Sequence, residues 1–345
     1  MLAAGGVVTP ADLPQPWISP MRAIVRFFVF ATCAVASYTG SASGQTPPAR
    51  RPAPPNGAYP SVSPDGKHVL FIRATENQPS AFIMDADGSN PRPLGASNLG
   101  VGSWLPDAKR FLAMQRTSRT VPGRMIIASI DGGETREIPR GDLDPGFAEV
   151  LGDGKTILIA NGKRDSTGRV RSMTWHLMDL DGSHLRTLRI PEISGRWLGL
   201  RPSRDGKRIA FIVADTSDPT TPFNSTTLYV MNLDGSGQKT VATVPNGMEQ
   251  LSWSYDGKKI ALQHDDRTPR VRSQLPADYI PNANIVVIDV TTGVVKELAH
   301  HDRRYLDETP DWSPDGHIYI QSDRDGRMEI YRMNADGSDQ RRLTK

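Results

Sequence analysis

A chain of 345 residues, 37% of them apolar, is long enough for one large or two medium domains with a substantial core. Its 31 glycines and 28 prolines speak for many turns and against long helices. With 41 basic against 38 acidic residues the formal charge is only +3, which excludes the basic excess of a nucleic-acid-binding chain.

The first elements are not part of a fold. Arg22 and Arg26 precede the apolar run FFVFATCAVA (27–36), and small residues follow in SYTGSASGQ (37–45). This is the three-part layout of a secretory signal, and the run is too short to span a bilayer. Because the layout begins at Met21, residues 1–20 are expected to be an over-long gene start or an extension of the signal, and 1–45 is assigned to extension plus signal peptide. Cys33, the only cysteine, lies in that run. Cleavage near 42–45 leaves a mature chain without a thiol, which rules out disulfides, thiol catalysis and thiolate metal sites. The expected location is periplasmic or secreted, without stable membrane insertion after cleavage. TPPARRPAPPNG (46–57) then reads as an extended Pro-rich linker.

From Ala58 onward one motif recurs six times: SVSPDGKHVLFI (61–72), SWLPDAKRFLAM (103–114), EVLGDGKTILIA (149–160), RPSRDGKRIAFI (201–212), LSWSYDGKKIAL (251–262) and DWSPDGHIYI (311–320). The turn aspartates stand at 65, 107, 153, 205, 256 and 315. Each copy has a second half built around Asp-Gly, as in AFIMDADGSNPRPL (81–94) and EIYRMNADGSDQRRL (329–343). Ser-Pro-Asp-Gly supplies a type I turn, with proline pre-setting one φ and glycine accepting the left-handed one that follows. Both halves are therefore hairpins, and one repeat is four antiparallel strands. Units of about this length around an axis are the blades of a β-propeller, so 58–345 is expected to be an all-β, six-bladed ring. Trp104, Trp253 and Trp312 share one position, three residues before the turn Asp, and are read as packing between blades. Ala108 for Gly, Gly152 for Pro and Arg204 for Pro are read as drift in tolerant hairpins. Ring closure is expected from packing of blade six on blade one, or from residues 50–58 adding an outer strand to the last blade.

With WSPDG (312–316), SDRDGRMEIYRMNADGSDQRRLT (322–344) and the repeated Asp-Gly hairpins, the chain resembles the TolB-type, WD-like β-propeller repeat family over residues 58–345. That resemblance implies the propeller fold and says much less about function. It extends equally to the propellers of prolyl-oligopeptidase-like enzymes. Members of the Tol system carry an α/β domain ahead of the propeller, where only the Pro-rich linker stands here.

In such a blade the A–B and C–D turns share one face, and the B–C and D–A loops share the other. The second set is longer and rich in arginine, as in RTSRTVPGR (116–124), HHDRRYLDE (300–308) and SDRDGR (322–327). Arg116, Arg124, Arg303, Arg304 and Arg324 are accordingly candidates for bidentate contacts to carboxylates on a protein or envelope-polymer partner. This makes the chain a binding scaffold, monomeric and without a cofactor. The alternative is a hydrolase or lyase on a carbohydrate or peptide, using His264, Asp265, Asp266, His300, His301 and Asp307 near the channel mouth. His264, Asp265, His300 and His301 are its metal candidates. There is no Gly-x-Ser-x-Gly elbow, since GSASG (40–44) has alanine at its centre.

Overall fold

The computed structural model describes residues 55–74, 79–97, 99–115, 121–133, 135–166, 170–190, 193, 195–215, 217, 225–245, 247–265, 282–298 and 305–345. These residues contain strands and turns and no helix. Six sheets of four antiparallel strands follow one another in chain order. Blade one is β1 (Ala58–Val62), β2 (His68–Ala74), β3 (Pro79–Asp85) and β4 (Arg92–Ser97); blade two is β5 (Ser103–Trp104), β6 (Arg110–Gln115), β7 (Arg124–Ser129) and β8 (Thr135–Ile138). Blade three is β9 (Pro145–Val150), β10 (Thr156–Arg164), β11 (Val170–Asp179) and β12 (Arg186–Thr187); blade four is β13 (Arg196–Pro202), β14 (Arg208–Ala214), β15 (Thr226–Asn232) and β16 (Lys239–Val244). Blade five is β17 (Gly247–Trp253), β18 (Lys259–Asp265), β19 (Ala283–Asp289) and β20 (Val295–Glu297); blade six is β21 (Asp307–Trp312), β22 (Ile318–Ser322), β23 (Glu329–Met333) and β24 (Arg341–Arg342). The expected six-bladed propeller is what the chain forms.

The turn chemistry explains why the motif repeats. In every blade the turn aspartate accepts a backbone N–H two residues on, for example from Lys109 to Asp107 at 2.9 Å and from Lys155 to Asp153 at 2.8 Å. Where serine opens the motif its hydroxyl also bonds the aspartate, at 2.6 Å from Ser63 and 2.7 Å from Ser254. The following glycine takes a positive φ, as at Gly66 (71°) and Gly316 (88°), and Ala108 takes it too, at 55°. In the second hairpin Asp87, Asp181, Asp234 and Asp336 accept the serine hydroxyl and amide in the same way.

These bonds have a pH consequence. Partial burial pushes the carboxyls of Asp65, Asp107, Asp153, Asp205 and Asp315 up, and the hydrogen bonds they accept outweigh it, so all five lie below their ordinary range. Serine hydroxyls are the main cause of the same shift at Asp256, Asp87, Asp131, Asp181, Asp234 and Asp336. A carboxyl depressed in the folded state contributes stability above its unfolded value of about 3.9 and loses it as pH falls through the folded value. The Tm is therefore expected to hold from pH 7 to about 5 and to fall steeply below about 4. A thermal melt series that stays flat down to about pH 3 would contradict this role for the turns.

Burial between blades supplies the core. Six apolar clusters fill six interfaces, the largest between blades four and five around Ile212, Leu228, Trp253 and Ile260. The middle strands are apolar on both faces, and Ile209–Ile212 have no exposed surface. Trp104, Trp253 and Trp312 are buried between blades as expected. Two of them also tie blades together, since Trp104 Nε1 donates to Ser61 O at 3.0 Å and Trp253 Nε1 to Arg201 O at 3.2 Å.

The ring closes between blades six and one without a shared strand. Its apolar cluster is the smallest of the six: Val62, Val69, Phe71, Met84, Tyr319, Ile330 and Leu343. Polar clasps reinforce it. The amides of Asn56 and Gly57 both donate to Met328 O, at 3.0 and 3.1 Å. The Glu329 carboxylate, with no exposed surface, accepts from Asn56 Nδ2 at 2.9 Å, Thr344 Oγ1 at 2.6 Å, Arg327 Nε at 2.9 Å and Arg342 Nη2 at 2.5 Å. The outer strand of blade six is its own β24, so the described residues of 50–58 add no strand there.

Candidate functional site

The first strand of each blade lines the axis, because these strands pack on one another from blade to blade. One position in this strand, four residues before the turn Asp, is polar in every blade: Ser61, Ser103, Glu149, Arg201, Ser252 and Asp311. Three of them bond the next blade in the same way. Ser103 Oγ accepts from Val150 N at 2.9 Å, Ser252 Oγ from Trp312 N at 3.2 Å and Asp311 Oδ2 from Val62 N at 2.8 Å. The last of these crosses the seam.

At the tight-turn end Arg204 reaches from blade four across blade five to blade six. Its Nη2 donates to Asp311 Oδ1 at 2.5 Å and to Ser252 Oγ at 3.3 Å, and Ser252 Oγ donates to the same Asp311 oxygen at 2.9 Å. The guanidinium lies 4.9 Å over the Tyr255 ring, and Arg201 lies 4.4 Å over Phe147. Glu149 stands 3.8 Å from Arg201 Nε. Burial pushes the Glu149 carboxyl up, against the opposing pull of Arg201 and Arg204. Desolvation drags on the Arg204 charge, but Asp311 and its neighbours outweigh it and raise the group. Reading Arg204 and Gly152 as drift is corrected here. Arg204 bridges blades four, five and six, and a Cβ on Gly152 would stand 2.1 Å from Arg204 O, so glycine is what lets the two turns meet. Ala108 fits the reading of a tolerated change.

At the long-loop end the axis carries a carboxylate held by amides. Gln263 Nε2 donates to Glu308 Oε1 at 3.2 Å and Gln321 Nε2 to Glu308 Oε2 at 2.9 Å. Gln321 Oε1 in turn accepts from Tyr59 N at 2.9 Å. Tyr59 and Thr309 sit at bulges in β1 and β21 with φ of 55° and 51°. A bulky side chain in the left-handed region is strained, and such strain collects where a side chain must point a particular way. Among the described residues Tyr59 is also one of the few exposed large apolar side chains, at 38%.

The residues singled out from the sequence are placed as follows. Arg124, at the start of β7, is exposed and paired to Glu137 across the strand at 2.5 Å, with a further bond to Gln115 at 3.1 Å. Arg324 is engaged within blade six. It grips Asp307 through both carboxylate oxygens at 2.8 and 2.9 Å, bonds Gln340, and lies 4.9 Å over Tyr305 and 4.4 Å over Tyr331. Arg116, Arg303, Arg304, Asp266, His300 and His301 lie outside the described residues. His264 is half-buried in β18 opposite Asn284, and Asp265 pairs through its backbone with Ala283. Among the described residues no three histidine, cysteine or carboxylate side chains are grouped as metal ligands. The sequence reading missed Tyr59, Glu308, Gln263, Gln321 and the Arg204 network. The available signal was the polar position recurring inside an apolar strand.

No protein-family model matches the chain. Among solved structures it is similar to TolB from Acinetobacter baumannii, with a TM-score of 0.61 and 21% identity over 82% of this chain and 64% of that one. A putative TolB from Agrobacterium tumefaciens gives 0.52 and 18% over 74% and 84%, and an oligogalacturonate lyase from Vibrio parahaemolyticus 0.52 and 15% over 81% and 77%. An uncharacterized protein of Agrobacterium fabrum is 42% identical over 93 residues, 27% of each chain. The chain thus spans under two thirds of the Acinetobacter protein and about a quarter of that relative. The structural likeness shows a TolB-like propeller fold.

Proposed function

We propose that the chain is an exported binding scaffold, directed out of the cytoplasm by the segment that starts at Met21, whose channel mouth on the long-loop face receives a peptide segment of a protein partner. The observation that carries this reading is Tyr59, an exposed aromatic residue held in a left-handed backbone, whose amide is tied through Gln321 to the half-buried, amide-oriented carboxylate of Glu308. An aromatic anchor next to oriented polar groups is the usual make-up of a binding hot spot. The likeness to TolB propellers supports a scaffold, while the lyase neighbour shows that the same ring also carries enzymes. Arg116, Arg303 and Arg304, outside the described residues, stay as sequence candidates for carboxylate contacts.

The test separates strain from binding. Tyr59→Gly removes the ring and suits the left-handed backbone, so the Tm should hold or rise while retention of envelope proteins on the immobilised chain falls at least about tenfold. If Tyr59→Gly and Glu308→Gln each leave a specifically retained partner unchanged, the mouth is not the partner surface.

A further inference from the structure

We propose that the Asn56–Gly57 pair is a modification site: Asn56 loses its side-chain ammonia when the clasp between blades six and one lets go, and the product keeps that clasp from closing again. The site belongs to the ring seam and is independent of the partner surface proposed for the mouth.

The chemistry needs only water. The backbone nitrogen of the residue after an asparagine attacks the side-chain carbonyl carbon, a C–N bond forms, and the side-chain amide leaves as ammonia. Water then opens the cyclic imide at either carbonyl and gives aspartate or isoaspartate, with no oxidant or reductant involved. Glycine in the second position suits this step best, because no Cβ hinders the attack and the backbone bends freely. Asn-Gly pairs occur at 56–57, 161–162 and 246–247, and Asn246 lies outside the described residues.

The two described pairs are held by different things. Asn161 lies in β10, where its Oδ1 accepts from Asp144 N at 2.8 Å and Gly162 N donates to Asp144 O at 3.1 Å, beside β9 of the same blade. Asn56 is held from the far side of the seam. Its own amide and that of Gly57 both donate to Met328 O, at 3.0 and 3.1 Å, and its Nδ2 donates to Glu329 Oε2 at 2.9 Å. While these bonds stand, the attacking nitrogen and the leaving amide are both tied to blade six. Reaction at Asn56 therefore waits on the clasp, and reaction at Asn161 on the opening of a whole blade.

The product does not fit back. Glu329 has no exposed surface, and its Oε2 also accepts from Thr344 Oγ1 at 2.6 Å. Arg327 and Arg342 bond the other oxygen, so an aspartate at 56 sets one carboxylate against Oε2 of another with no donor between the two. Isoaspartate adds a carbon to the backbone ahead of Gly57 and draws its amide off Met328 O. Ala58 opens β1, so the innermost strand of blade one loses its anchor with the clasp.

Peptide mass reads both asparagines in one sample of the full chain, because trypsin places them in separate fragments ending at Lys67 and Lys163. Each rate in mildly alkaline buffer is divided by the rate of the same residue in strong urea. On that scale Asn56 should react at least about tenfold faster than Asn161, and Glu329→Gln should speed Asn56 at least about fivefold further while leaving Asn161 unchanged. Asn56→Asp, which installs one of the products, should lower the Tm by at least about 3 °C and by more than Asn56→Ala does. A scaled Asn56 rate no higher than that of Asn161 overturns the proposal. So does a rate that Glu329→Gln leaves alone or raises only in step with Asn161, and so does an Asn56→Asp variant that melts with the unaltered chain.

Discussion

Glu329→Ala is expected to lower the stability of the ring by about 3–5 kcal/mol, the range for removing one partner of a buried charge network. The carboxylate has no exposed surface and accepts from Asn56, Thr344, Arg327 and Arg342. It joins the first described residues of the chain to the last. The apolar cluster at this seam is also the thinnest of the six, so less packing is available to compensate. Glu329→Gln keeps the shape and part of the hydrogen bonding and should cost about half as much. Urea unfolding read by tryptophan fluorescence measures both. A loss under about 1 kcal/mol for the alanine variant would mean that Val62, Phe71, Tyr319 and Leu343 close the ring unaided.

Asp311→Ala is expected to cost about 2–3 kcal/mol, because it leaves the Val62 amide without its acceptor and the part-buried Arg204 guanidinium without its charge partner. One side chain here ties blades four, five, six and one through Arg204, Ser252 and the Val62 amide. Removing both members of the pair should hurt less than removing the acid alone. Arg204→Leu with Asp311→Ala is therefore expected to recover at least about 1 kcal/mol relative to Asp311→Ala alone, since no unpaired charge remains inside. Equal losses in the single and double variants would show that Asp311 acts through the Val62 bond alone.

What the sequence made legible is local in the chain. The turn aspartates, the glycine or its Ala108 substitute, and the hairpin pairing around them all depend on residues within five positions, and each was found where the repeat put it. The tryptophans were legible because an aromatic at a fixed place in a repeated strand has one plain use. What stayed hidden is non-local. Arg204 meets Asp311, 107 positions on, and in a one-blade view its only visible property was that it was not proline. The arginine candidates failed to stand out for a related reason. Arg124 and Arg324 look alike in sequence, but strand register puts Glu137 against the first and blade six closes both carboxylate oxygens of Asp307 on the second. Tyr59 was passed over because it lies outside the charged loops that drew attention, and Glu308 because it stands last in HHDRRYLDE (300–308), where the arginines, histidines and Asp307 were singled out.

Because every blade is made from one uninterrupted stretch, and the two ends of the ring meet at a single carboxylate, the point at which this ring is cut is a matter of wiring and not of architecture. The same circle could be written starting from any blade. The described ends of the ring, at Asn56 and Thr344, come out at one spot beside the seam and away from the tight turns, so segments joined at those two positions would start as neighbours in space.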